Sequence, residues 1–236
     1  MTSQPAVSLS QLRFAWPGQP TLLAVDRLEI AQGEMVLLHG PSGCGKTTLL
    51  ALIAGVLTAS AGDIRVLGAD FYTLSARSRD ALRGEQMGVI FQQFNLLPFL
   101  SVAQNVLLPL QLFDRRLSAA TASLPDGTLQ SPEQEAERLL SALGLGADLL
   151  HRPAYQLSVG QQQRVAAARA LIGHPSLIIA DEPTSALDEA NQVEFLSLLM
   201  AQARQTGATL LMVSHQMRIA PLFDRTIEFT QVNQPC

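Results

Sequence analysis

Fifteen arginines and a single lysine occur in this chain, and the lysine, Lys46, lies in Gly40-Pro41-Ser42-Gly43-Cys44-Gly45-Lys46-Thr47-Thr48. The segment fits GxxxxGK[ST]. Ahead of it, Met35 to Leu38 is apolar and short enough for a buried strand; behind it, Leu49, Leu50, Leu52, Ile53 and Val56 recur at helical spacing. Strand, glycine turn and helix are the setting this pattern needs. Glycines let the backbone curl until consecutive N–H groups face one anion, and the helix N-terminus adds its partial positive charge. Lys46 supplies a compact cation where arginine's broad planar fork would not fit, which accounts for the lone lysine. The segment is read as a nucleoside-triphosphate site, with Lys46 on the β- and γ-phosphates and the Thr47 hydroxyl as a ligand to magnesium.

The remaining composition narrows the class. A length of 236 residues suits one domain, with or without an inserted subdomain. Charged residues make up 15%, against about 25% in an average soluble domain, so part of the surface is expected to be covered. A net charge of −4 gives no electrostatic case for a nucleic-acid partner. Two cysteines, Cys44 and Cys236, are too few for a disulfide scaffold and fit a reducing compartment. The opening MTSQPAVSLS lacks a basic segment followed by an apolar run, so no secretory signal is expected. From Gln86 to Phe113 no residue is charged, but Gln92, Gln93, Asn95, Pro98, Gln104, Asn105 and Pro109 interrupt the stretch too often for a membrane span.

Two further segments carry chemistry. Leu177 to Ala180 is fully apolar and ends at Asp181-Glu182. Read as a strand, it puts Asp181 near the magnesium and Glu182 where a carboxylate orients or deprotonates a water. Leu157-Ser158-Val159-Gly160-Gln161-Gln162-Gln163-Arg164 precedes an alanine-rich helix to about Ile172, with Ser158 as its N-cap. Here the sequence resembles the ATP-binding cassette (ABC) family, whose signature is LSGGQ, and the resemblance covers nearly the whole chain in the family's order. It implies that Gln92, in Val89-Ile90-Phe91-Gln92, is the Q-loop glutamine and joins the magnesium shell with Thr47 and Asp181. It implies a D-loop in Ser185-Ala186-Leu187-Asp188, an H-loop histidine at His215 after Leu210 to Val213, and an adenine-stacking aromatic at Trp16. Lys46, Gln92, Glu182 and His215 are then the catalytic set. Trp16, Gly40 to Thr48, Ser158, Gly160, Gln161 and Asp188 are the nucleotide contacts, with ATP and magnesium ion (Mg2+) as the bound species. The third signature position is Val159 instead of glycine, a departure that stiffens the turn.

The expected fold is α/β: a P-loop ABC-ATPase with a mostly parallel core sheet, a small antiparallel β subdomain and an inserted helical subdomain. The core is placed at about 1–87 and 161–236, and the helical insert at about 88–160. Residues 7–30 should give two or three strands around Pro17-Gly18, with a further strand at Asp63 to Leu67 and others near 177–180, 209–214 and 225–229. Ser131-Pro132-Glu133-Gln134 opens a helix through a capping box, with Leu139, Leu140 and Leu143 inside and Gly144 ending it. Asp114 to Gln130, with Pro125-Asp126-Gly127, reads as a surface loop.

The resemblance further implies a head-to-tail homodimer, in which Ser158, Gly160 and Gln161 of one subunit complete the γ-phosphate shell of the other. It also implies a separate integral-membrane permease, received by the segment Phe91 to Leu100, and a location on the cytoplasmic face of the inner membrane. Within the family the chain is most similar to the lipoprotein-release and macrolide-export ATPases. An importer subunit, a soluble ABC ATPase and a regulator of low turnover stay open as alternatives.

Overall fold

The computed structural model describes residues 4–122 and 130–234. In chain order it contains β1 (Val7–Ala15), β2 (Thr21–Ile30), β3 (Met35–His39), α1 (Lys46–Ile53), β4 (Ala61–Val66), β5 (Ala69–Asp70), α2 (Ala76–Gln86) and β6 (Met87–Ile90). Helices α3 (Val102–Leu112), α4 (Asp114–Ala120), α5 (Pro132–Ala142) and α6 (Val159–Leu171) follow. The chain then forms β7 (Leu177–Asp181), α7 (Glu189–Gln205), β8 (Thr209–Ser214), β9 (Arg225–Glu228) and a last turn, α8 (Phe229–Val232).

Two sheets result. One is antiparallel in the order β2-β1-β4-β5, and the other is parallel in the order β6-β7-β8-β3-β9. Strands β3, β6, β7 and β8 are apolar at nearly every position because both of their faces are covered, whereas the edge strand β9 is polar and partly exposed. Alternation still sorts the side chains. Met35, Leu37, Ile178, Leu210 and Met212 join one core with α3, α5, α6 and α7. Val36, Leu38, Ile179, Leu211 and Val213 join a second core with α1 and the antiparallel sheet.

This order brings four loops to one edge. The phosphate-loop segment leaves the carboxyl end of β3, Gln92 follows β6, Asp181 ends β7 and His215 follows β8. Open α/β sheets bind ligands at that edge.

The helices between β6 and β7 are secured locally. Ser101, Ser131 and Ser158 each cap a helix through a reciprocal box, with Gln104, Gln134 and Gln161 respectively. Gly144 follows α5 with φ at +79°. Residues 88–90, assigned to the insert by sequence, are the last three of β6 and pair with β7.

Asp114 to Gln130 departs from the expected surface loop: its first seven residues are helix α4. The reason is Arg116, a buried side chain. Its Nε donates to Gly84 O at 3.0 Å, Nη1 to Ala170 O at 3.2 Å and Ile172 O at 2.7 Å, and Nη2 to Met87 O. Burial lowers its pKa to about 10, which leaves it charged, and the carbonyls ending α2 and α6 are what a buried cation satisfies. Helix α4 lies so close to the turn after α6 that a Cβ on Gly173 would stand 2.6 Å from Arg116 O. Pro125-Asp126-Gly127 and Cys236 lie outside the described residues.

Candidate nucleotide site

Helix α1 opens at Lys46 behind Gly45, whose φ of 105° only glycine adopts readily. Gly45 provides no side-chain cap, and the first turn holds no acidic residue. The first N–H groups of α1 thus have no side-chain acceptor and point at the loop, which makes an anion site. Lys46 is 6% exposed, and its Nζ donates to Gly40 O at 2.7 Å and Pro41 O at 2.6 Å, with Cys44 Sγ at 3.8 Å. Gly40, Pro41 and Cys44 therefore hold the lysine from behind.

In front of it is a cavity of about 420 Å³ lined by Ser42, Gly43, Gly45, Lys46, Thr47, Thr48, Gln92, Asp181, Glu182 and His215. Ten residues chosen from sequence thus converge on one space. Leu22 and Val213 complete the wall. Sequence reasoning missed both, because an apolar residue in a strand looks like core.

The carboxylates sit under unusual constraint. Glu182 has φ of 46°, a left-handed conformation that costs a non-glycine residue about 1–3 kcal/mol. It is fixed there from two sides: its N–H donates to Val213 O at 3.0 Å, and Oε1 lies 2.9 Å from His215 Nδ1. Asp181 Oδ1 and Glu182 Oε2 are buried with no hydrogen-bond partner among the described residues. Burial raises the Asp181 carboxyl above its ordinary value; the Thr47 hydroxyl pulls it back, Glu182 pushes it up, and the Lys46 charge pulls it down.

Besides Gly40, Pro41 and Cys44 behind the lysine, five predicted contacts stand outside this cavity. Trp16 is 45% exposed and packs edge-on against Phe14 at 5.0 Å and 84°. Ser158, Gly160 and Gln161 form the tip of α6, where Ser158 Oγ accepts from Gln161 N–H at 3.3 Å and Gln161 Oε1 accepts from Ser158 N–H at 3.0 Å. A Cβ added to Gly160 would meet nothing closer than Leu187 Cδ2 at 3.5 Å, so the chain itself does not require a glycine there. Val159 beside it is half-exposed. Asp188 caps α7, accepting from Asn191 N–H at 3.0 Å and Asn191 Nδ2 at 2.6 Å, and these bonds lower its pKa.

Comparison with known proteins agrees with this geometry. A family model described as ABC transporter matches residues 23–185. The lipoprotein-releasing system ATP-binding protein LolD of Novosphingobium aromaticivorans is 40% identical over 229 residues, covering 95% of this chain and 96% of LolD. YbbA of Escherichia coli, an uncharacterized ABC transporter ATP-binding protein, is 39% identical over 207 residues, 88% of this chain and 85% of YbbA. The dimeric structure of MJ0796, a bacterial ABC transporter cassette, superposes with a TM-score of 0.81 at 32% identity, covering 94% of this chain and 93% of that one. A post-hydrolysis dimer of MJ0796 with ADP and Pi gives 0.80 at 31% identity, with the same coverage. The chain belongs to the ABC transporter family and is its ATP-hydrolysing nucleotide-binding subunit.

Proposed function

We propose that this subunit clasps ATP between the Lys46 cavity of one copy and the Ser158 tip of a second. It would drive a membrane permease of the envelope-export or lipoprotein-release type. The observation that carries the reading is the convergence of Lys46, Gln92, Asp181, Glu182 and His215 on one cavity at the carboxyl ends of parallel strands. Lys46 and the amides of Ser42 to Thr48 hold the phosphates, and Trp16 offers a face to adenine. Glu182, fixed by His215, orients and deprotonates the attacking water. The N-terminus of α6, with Ser158, Gly160 and Gln161, meets transition-state charge from the other copy, and Asp188 lies at the same junction.

The site suits Mg2+. Its candidate ligands, Thr47, Asp181 and Gln92, are all oxygen donors, and the unpartnered Asp181 Oδ1 is what a hard cation would satisfy. Bound there, the ion would neutralise charge along the β–γ bridge.

The permease reading rests on a groove. Arg83, Val89 and Phe91 are shared by two adjoining apolar cavities of about 300 and 180 Å³, one walled by α3 and α6 and the other by α1. Leu112 on this groove is 64% exposed and Phe91 is 43% exposed. Such a patch on a sparingly charged chain fits a short helix of a membrane partner. Among the described residues no helix is long and apolar enough to cross a membrane; the likeness to ABC transporter subunits is what supports assigning the span to a separate protein and this chain to the cytoplasmic face of the inner membrane. The test is Leu112→Glu. Phosphate release from Mg-ATP should stay within about twofold of wild type, since Leu112 is distant from the reacting atoms. Co-purification with the permease co-expressed from the neighbouring gene should be lost. A variant that still co-purifies refutes the groove, and a wild-type chain that releases no phosphate with its permease present refutes the transporter reading.

A further inference from the structure

The loop that carries Gln92 is held in a costly shape. Phe94 and Asn95 have φ of 58° and 50°. Asn tolerates the left-handed region, but Phe does not, and such residues persist only when their surroundings over-determine them. The holding group is Arg169, in the last turn of α6. Its Nη2 donates to Phe94 O at 2.6 Å and its Nη1 to Asn95 O at 2.7 Å. Arg169 is partly buried, and desolvation lowers its pKa. The planar fork meets each carbonyl with a separate nitrogen in a fixed geometry, whereas a lysine would have to serve both from a single, more strongly hydrated atom. The far end of the loop is pinned separately by buried Asn105, whose Nδ2 donates to Leu97 O at 3.0 Å and Ser101 O at 3.1 Å.

The same helix begins at Ser158. Arg169 lies eleven residues further on, about 16 Å along a rigid rod. Gln92 lines its own chain's cavity, whereas the tip of α6 is the group proposed above to serve the other copy. We propose that Arg169 is a positioning residue that ties the Gln92 loop to α6. Nucleotide in one chain's own cavity thereby sets the angle at which that chain's Ser158 tip meets its partner's nucleotide. The two sites of the dimer then report to each other through one guanidinium per chain. Arg169 also lines the groove assigned to the permease, so a seated partner would press on the same link. The inference rests on the head-to-tail reading.

Arg169→Met and Arg169→Lys in the full chain test it. ATP affinity at dilutions where the chain is monomeric should change by less than about twofold, and the melting temperature of the lysine variant should match wild type. The Hill coefficient of ATP hydrolysis should fall from about 2, the ceiling for two sites, to about 1 in the methionine variant. In a Glu182→Gln background the ATP concentration for half-dimerisation should rise by about tenfold. Lysine should rescue part of both effects. Unchanged cooperativity and dimerisation in the variants overturn the proposal, as does a loss of monomer ATP binding equal to the loss of dimerisation. If the methionine variant does not fold, the lysine variant decides by the same criteria. A Glu182→Gln chain that never dimerises in ATP refutes the head-to-tail reading itself and this inference with it, a result distinct from an Arg169 effect that is simply missing.

Discussion

The Lys46 cavity and the Ser158 tip are built on opposite principles. The cavity is demanded from within: Lys46 is buried on its own loop's carbonyls, and a Cβ at Gly45 would stand 2.7 Å from Leu23 Cδ2. Glu182 is forced into a left-handed turn by Val213 and His215. At the tip, Ser158 and Gln161 cap only each other, a Cβ on Gly160 would make only ordinary contact with Leu187, and Val159 is 49% exposed. Residue types that their own chain does not require, set at the positive end of a helix, are explained by something arriving from outside. On the proposed reading, one region is a finished half-site and the other a half-site offered to another molecule.

The contrast breaks first under paired substitutions. Lys46→Ala should abolish ATP binding by the single chain and cut hydrolysis by about 10³-fold or more. Ser158→Arg should leave single-chain binding within about twofold while hydrolysis falls to a similar floor, because the arginine blocks only the offered face. Equilibrium dialysis with ATP beside phosphate release separates the two. A Ser158→Arg chain that loses binding as Lys46→Ala does would place the tip inside the chain's own site.

The far end of α6 resembles the cavity more than the tip. Arg116→Met takes this donor from four carbonyl groups and, by leaving buried acceptors unpaired, should cost about 3 kcal/mol or more, read by urea denaturation. A loss under about 1 kcal/mol would mean that α4 is dispensable as an anchor.

A third test uses pH. Burial alone would raise the Glu135 carboxyl, but the hydrogen bonds and charge of Arg138, with His174 at 3.7 Å, bring it from 4.5 to about 2. A depressed carboxylate stabilises the fold above its ordinary pKa and loses that contribution as pH falls. Glu135→Gln should therefore be less stable by up to about 3 kcal/mol at pH 7. The gap to wild type should close between about pH 4.5 and pH 2, whereas a gap constant across that range contradicts the assignment.

The smallest effect is at the tip itself. Val159→Gly relaxes a β-branched residue at the first position of α6 and should raise turnover by about two- to fivefold, with monomer stability lowered by about 0.5–1 kcal/mol. An unchanged rate would mean that Val159 is no obstacle to the approaching phosphate.

The legible and illegible parts of the sequence divide along the same line. Lys46, Asp181, Glu182 and His215 were legible because each follows an apolar strand, and strand ends converge. The capping box at Ser131 and the N-cap at Ser158 were legible because a side chain bonds a backbone group three residues away. Helix α4, Arg116 and Arg169 were not, since their partners are backbone carbonyls supplied from distant segments by any residue type. A guanidinium seeking carbonyls leaves no pattern of complementary residues to find. The wall residues Leu22 and Val213 were hidden for a related reason: an apolar side chain lining a cavity and one filling a core have the same spelling.

The most direct measurement mixes the two dead chains. A Lys46→Ala chain keeps a sound Ser158 tip, and a Ser158→Arg chain keeps a sound cavity. A mixed pair arranged head to tail therefore rebuilds one complete site. Combined at equal concentration with Mg-ATP, the two should hydrolyse well above either chain alone and up to about a quarter of the wild-type rate: half of random pairs are mixed, each has one of two sites intact, and the empty Lys46→Ala cavity can only lower that ceiling. Mixtures no more active than either chain alone, with both chains folded, would contradict the sharing of one nucleotide between two copies.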